Sequence, residues 1–192
     1  MATNSLFLND RSSRAAAFLL MLLCALVPPA LFGQHDVHAS LIPAASRKPA
    51  PRFDLVDETG RRKRLSSYRG KVVLLNFWAT SCGGCILEIP SFIAVESTYG
   101  PKGFTAVGVA MDIPYDNLKN ADQAWQKVRP FIRSHKVNYP ILMGGQPILK
   151  EYRLTAFPDT YLIDKSGRVA AVYVGVVNKD DVAANIQALL SE

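Results

Sequence analysis

Two cysteines separated by two glycines, Cys82-Gly83-Gly84-Cys85, are the residues of this chain best suited to do chemistry. A thiolate attacks disulfides, and two thiols this close can pass between dithiol and disulfide within one short loop. The pair falls where a buried strand meets the start of a helix, and there unpaired backbone N–H groups and the helix dipole stabilise negative charge. That setting favours a thiolate at Cys82, and the same lowered pKa makes its sulfur a better leaving group. Cys85, a turn further in, is placed to resolve a mixed disulfide. A static bond would close a loop of only two intervening residues and constrain the unfolded chain little. The glycines predict sulfurs left open rather than packed.

The rest of the composition narrows the chemistry. Of three cysteines in 192 residues, Cys24 lies in an apolar N-terminal run, which leaves a single pair. The histidines, His35, His38 and His135, sit far from that pair in sequence, so neither a four-ligand zinc site nor any other metal or cofactor is expected. The net charge of +6 comes largely from Arg11, Arg14, Arg47, Lys48, Arg52 and the run Arg61, Arg62, Lys63, Arg64. No aromatic residues interleave with that run, which reads as a solvated hairpin or linker face and not as a nucleic-acid surface.

The elements that must position the pair follow from hydrophobic pattern. Val72 to Trp78 is a continuous apolar run of the kind found in a strand buried on both faces. Cys82 to Tyr99 has helical spacing, contains Pro90 and stops at Gly100-Pro101, which predicts a kinked helix. Phe104 to Met111 reads as a second buried strand, Leu118 to His135 as a helix broken near Pro130, Tyr139 to Met143 as a short strand and Pro147 to Tyr152 as a short helix. Phe53 to Asp57 and Arg62 to Leu65 flank a Glu58-Thr59-Gly60 turn, and Thr160 to Ile163 and Val169 to Val174 flank Asp164 to Gly167, so two hairpins are expected. Asp181 to Leu190 closes the chain as a helix. The expectation is an α/β sandwich with a mixed central sheet.

Ahead of this domain, Arg11 and Arg14 precede an apolar run from Ala15 to Val27, followed by Pro28-Pro29 and Val37-His38-Ala39-Ser40. This is a signal-peptide layout, with cleavage expected after Ala39, or an uncleaved anchor if the span extends through Gly33. Residues 1–39 are therefore read as a leader, 40–52, with Pro43, Pro49 and Pro51, as a linker, and 53–192 as the folded domain.

The segment from Phe77 to Cys85, with Glu88 and Pro90 after it, resembles the active-site segment of the extracytoplasmic thioredoxin-like family that includes the ResA, TlpA and CcmG/DsbE proteins. The resemblance continues in Gly70 to Asn76 and in Phe157-Pro158-Asp159-Thr160-Tyr161-Leu162-Ile163-Asp164, and spans the domain from about Phe53 onward. It implies a thioredoxin-like fold with an N-terminal hairpin and a helical insertion. It implies that Pro158 is a cis-proline against the active-site sulfurs, with Phe157 and Trp78 also in contact with substrate. It implies that Glu88 is an acid able to influence the titration of Cys85, since Asn76 stands where cytoplasmic thioredoxins carry a buried aspartate. Ser81 departs from the family, which usually has tryptophan there, and Gly83-Gly84 lacks its proline.

The resulting expectation is an exported thiol-disulfide oxidoreductase that takes electrons from a membrane donor protein. Its substrates would be disulfides in partner proteins, with apocytochrome c the example the resemblance implies. The alternatives are a disulfide-forming oxidant and a non-catalytic Cu(I) carrier holding metal between the two thiolates. A peroxidase would need proline and a hydroxyl residue ahead of Cys82, where Leu75 and Ala79 stand.

Overall fold

The computed structural model describes residues 36–192, and the run from Ala15 to Val27 and Cys24 lie outside the described residues. Strands β1 (Asp54–Asp57) and β2 (Arg62–Arg64) form the first hairpin, turning at Gly60 with a positive φ of 82° that suits glycine. There follow β3 (Val72–Trp78), α1 (Gly83–Tyr99), β4 (Phe104–Ala110), the short α2 (Asp112–Tyr115) and α3 (Ala121–Ser134). The chain continues through β5 (Ile141–Met143), α4 (Gln146–Glu151), β6 (Asp159–Ile163), β7 (Val169–Val174) and α5 (Lys179–Ser191).

The strands make one seven-stranded sheet in the order β2-β1-β5-β4-β3-β6-β7. β3, β4 and β5 run parallel at its centre, and β1, β6 and β7 join antiparallel. β3 is buried along its whole length, as its unbroken apolar run requires. Successive side chains point to opposite faces of the sheet. Val72, Leu74 and Trp78 accordingly pack with α1, α3 and α5, while Val73, Leu75 and Phe77 pack with Ile148 and Tyr152 on the other side. Asn76 shares the parity of Leu74 and Trp78, so the strand turns its one polar side chain toward α1.

Three features differ from what the sequence pattern suggests. α3 runs unbroken through Pro130, because both Pro130 and Gln126, whose carbonyl loses its partner there, face solvent. An additional helical turn, α2, stands between β4 and α3. The stretch 40–52, which its composition marks as a linker, is docked on the domain. Ile42 donates its N–H to the Ala170 carbonyl at 2.8 Å, and Pro49 bridges Arg168. The buried Arg47 pairs with Asp164 at 3.3 Å and with Glu192 at 2.5 Å. Docking by backbone pairing and one satisfied charge leaves no hydrophobic periodicity to read. Val37 and Ala39, the small residues ahead of the expected cleavage point, also contact the domain. Val37 pairs with Val177, and the Ala39 carbonyl accepts from Asn185 at 2.7 Å.

Candidate active site

Cys82 caps the N-terminus of α1 with an extended backbone, and its Sγ accepts the Cys85 N–H at 3.3 Å. In the reduced pair, that bond and the helix N-terminus favour a thiolate at Cys82. Cys82 and Cys85 are joined as a disulfide, with Cα atoms 5.3 Å apart. The sulfurs are less open than two intervening glycines suggest. Cys82 is 3% and Cys85 1% exposed. Gly83 faces solvent, but Gly84 is half-buried and closely approached: a Cβ built there would stand 3.2 Å from the Val176 side chain and 3.3 Å from the Pro158 ring. Glycine therefore lets two loops close over the pair.

The Phe157-Pro158 bond is cis, and Pro158 lies beside the redox loop through this contact with Gly84. Phe157 is half-buried, its ring 5.6 Å from that of Tyr115. Trp78 is not placed to touch a substrate. It is buried in the core against Phe131, because its position in β3 turns the indole toward α3. Its contribution is to fill the floor beneath the strand–helix junction.

Glu88, one turn beyond Cys85, is 2% exposed. Its Oε1 accepts the Val177 N–H at 2.8 Å and its Oε2 accepts from Asn76 Nδ2 at 3.3 Å, while the same amide donates to Thr160 Oγ1 at 2.9 Å. Burial pushes the carboxyl up to about 8, against the pull of those two donors, and Asp159 pushes it in the same direction as burial. Asp159 itself is raised to about 6 by burial, and one of its carboxylate oxygens has no partner among the described residues. A residue read only as a replacement for aspartate, Asn76, thus tethers Glu88 to β6.

A second group of acids, invisible in the motif, holds the other side of the loop. Asp112 Oδ1 accepts the Thr80 N–H at 3.2 Å and the Thr80 hydroxyl, and burial raises its pKa. Ser81 Oγ donates to Asp116 Oδ1 at 2.5 Å, and Asp116 also pairs with Lys127. The Ser81 hydroxyl is therefore occupied by Asp116, at the C-terminal end of α2, instead of being turned to the Cys82 sulfur. The available signal was an aspartate directly after a buried strand, at the end of the sheet that carries the cysteines. Met111 packs its sulfur against Gly144 in the core on the opposite face from the cysteines, so it adds no soft ligand to the pair.

Comparison with known proteins places this geometry among its relatives. The sequence model of the AhpC/TSA family matches residues 47–172. The thiol-disulfide oxidoreductase ResA of Geobacillus thermodenitrificans (strain NG80-2) is 30% identical over 172 residues, covering 89% of this chain and 92% of its own. The thioredoxin-like protein YneN of Bacillus subtilis (strain 168) is 32% identical over 133 residues, 69% of this chain and 74% of its own. Among solved structures, a thiol:disulfide interchange protein of the thioredoxin family from Chlorobium tepidum TLS superimposes with a TM-score of 0.65. It is 29% identical, and the match covers 77% of this chain and 99% of that one.

Proposed function

The chain belongs to the AhpC/TSA family and is a thiol-disulfide oxidoreductase of thioredoxin-like fold, and from that premise we propose that it is exported and reduces disulfides in partner proteins through Cys82 and Cys85. The observation that carries this reading is the Cys82 sulfur at the head of α1, accepting the Cys85 amide. In the reduced enzyme the Cys82 thiolate attacks one sulfur of a substrate disulfide. The other substrate sulfur leaves with the bond's electron pair and takes a proton from water. Cys85 then gives its proton to the Glu88 carboxylate and attacks the Cys82 sulfur. The second substrate sulfur departs as thiolate, and the enzyme is left as the Cys82–Cys85 disulfide. The substrate has gained two electrons, and the pair has lost them.

An external dithiol donor reverses these steps, with Cys85 leaving as thiolate and recovering its proton from neutral Glu88. Donors on both Glu88 oxygens support the carboxylate half of that shuttle, and burial supports the protonated half. Cis-Pro158 and Phe157 would hold the substrate chain beside the pair. Leu75 and Ala79 are buried and carry no hydroxyl, which favours disulfide over peroxide as the electron acceptor. Export rests on the leader pattern of residues 1–39; among the described residues no helix is long and apolar enough to cross a membrane. A membrane dithiol protein is the donor this reading requires, and an apocytochrome c before haem attachment is the substrate the family resemblance suggests.

The test is the reduction potential of the pair against a dithiothreitol or glutathione series, with Cys85→Ser as a trap. A potential near or below roughly −270 mV, with a mixed disulfide accumulating on Cys85→Ser, supports a reductase. A potential near roughly −120 mV makes the protein an oxidant, and a pair that never cycles but retains Cu(I) makes it a carrier.

A further inference from the structure

Ser81 leaves no bulk beside Cys82, yet apolar surface reaches the redox loop from another element. α2 is tied by two carboxylates to the two residues directly ahead of the pair, Asp112 to Thr80 and Asp116 to Ser81. Tyr115, next to Asp116, is 44% exposed, and its ring meets Phe157 edge-on, with an interplanar angle of 72°. Phe157 precedes cis-Pro158, whose ring lies with Val176 against Gly84. Exposed Tyr115 and half-buried Phe157 and Val176, backed by buried Pro158, therefore form one apolar strip from α2 to the redox loop. Charge beside it is internally matched: Lys127 neutralises Asp116, and Asp112 is buried.

We propose that Tyr115 determines substrate specificity, receiving the side chain next to the reactive cysteine of a partner polypeptide and selecting disulfides flanked by an aliphatic or aromatic residue. The proposal rests on the thiol-exchange function above. With the sulfurs almost wholly covered, a substrate disulfide must lie along the rim to reach Cys82, and its neighbouring side chain then meets the strip. Tyr115 is suited to that contact because a tyrosine ring offers a large face with few rotatable bonds to immobilise. Its bracing by Phe157 and by the α2 ties sets the ring in place before the partner arrives.

The experiment measures how fast the reduced full chain is oxidised by two synthetic peptides. Each carries one internal disulfide, and they differ only in having leucine or serine beside both cysteines. The wild type should react about 10-fold faster with the leucine peptide, a difference of about 1.4 kcal/mol. Tyr115→Phe should keep that ratio, and Tyr115→Ala should bring it to within about twofold of unity. A ratio that survives in Tyr115→Ala, or a wild type with no preference, overturns the proposal. A wild type that reacts with neither peptide overturns the thiol-exchange function and this proposal with it.

Discussion

Glu88, one turn after Cys85, and Asp112, bonded to Thr80 two residues before Cys82, are both buried and both shifted upward by loss of water, but their hydrogen bonds differ. Glu88 spreads its donors over two oxygens, one bond to the Val177 backbone and one to Asn76. Either protonation state can be accommodated there, as a group that exchanges a proton with Cys85 requires. Asp112 concentrates two bonds from Thr80 on one oxygen and leaves the other without a partner among the described residues. It serves as a tether for the loop before Cys82. Burial alone thus shifts a carboxylate; on the proposed mechanism, the placement of its donors separates a group that moves a proton from one that holds a chain.

The sharpest way to break this contrast is Glu88→Gln. Loss of the proton carrier should slow the resolving step roughly 10- to 100-fold, measured as persistence of the mixed disulfide in rapid-quench experiments. The same substitution should alter stability with the opposite sign. The folded-state pKa, about 8, lies above the ordinary value of 4.5, so the folded protein keeps a proton that the unfolded chain releases. Glu88 therefore costs no stability below about pH 4.5, an increasing amount as pH rises toward 8, and a constant amount beyond. Glu88→Gln should flatten that part of the thermal-stability profile and raise stability at pH 8 by up to roughly 4 kcal/mol. An unchanged profile would remove Glu88 from the proton relay.

Asp112 gives the next largest effect, on stability instead of proton transfer. Asp112→Ala leaves the Thr80 amide without its acceptor and should cost about 1–3 kcal/mol, read as a lowered Tm. Asp112→Asn keeps an acceptor for Thr80 and should leave the resolving rate within about threefold of wild type. If Asp112→Asn instead slows resolution as much as Glu88→Gln, the division between relay and tether is wrong.

The smallest effect belongs to Ser81→Ala. Its bond to Asp116 is exposed, and Lys127 still neutralises the carboxylate, so stability should change by no more than about 0.5 kcal/mol. A loss of several kcal/mol in a denaturant titration would show that α2 is held mainly through Ser81 and not through Asp112.

Much of this arrangement is legible in the chain. The apolar run of β3, the glycine-spaced cysteines and the helix after them lie within 28 consecutive residues, from Val72 to Tyr99, and local pattern reports them. The hairpins and the mixed sheet follow from alternation and turn residues. Trp78 shows a limit of the family resemblance, which implied substrate contact, whereas strand parity buries the ring against Phe131. The stretch 40–52 shows another limit, since strand-edge pairing uses the backbone and is blind to composition.

The sequence by itself determined the reactive pair, the junction that activates it and the fold class, because each depends on residues close in the chain. Only the tertiary structure decided the environment of that pair. Glu88 meets Val177 across 89 positions, Asn76 meets Thr160 across 84, and Thr80 meets Asp112 across 32. Contacts of that separation leave no periodic trace, since one polar residue facing another satisfies hydrogen bonding in space without constraining the residues between them. The closure of Pro158 and Val176 over Gly84, and the strip that ends at Tyr115, likewise come into being only when the sheet brings its loops to one edge.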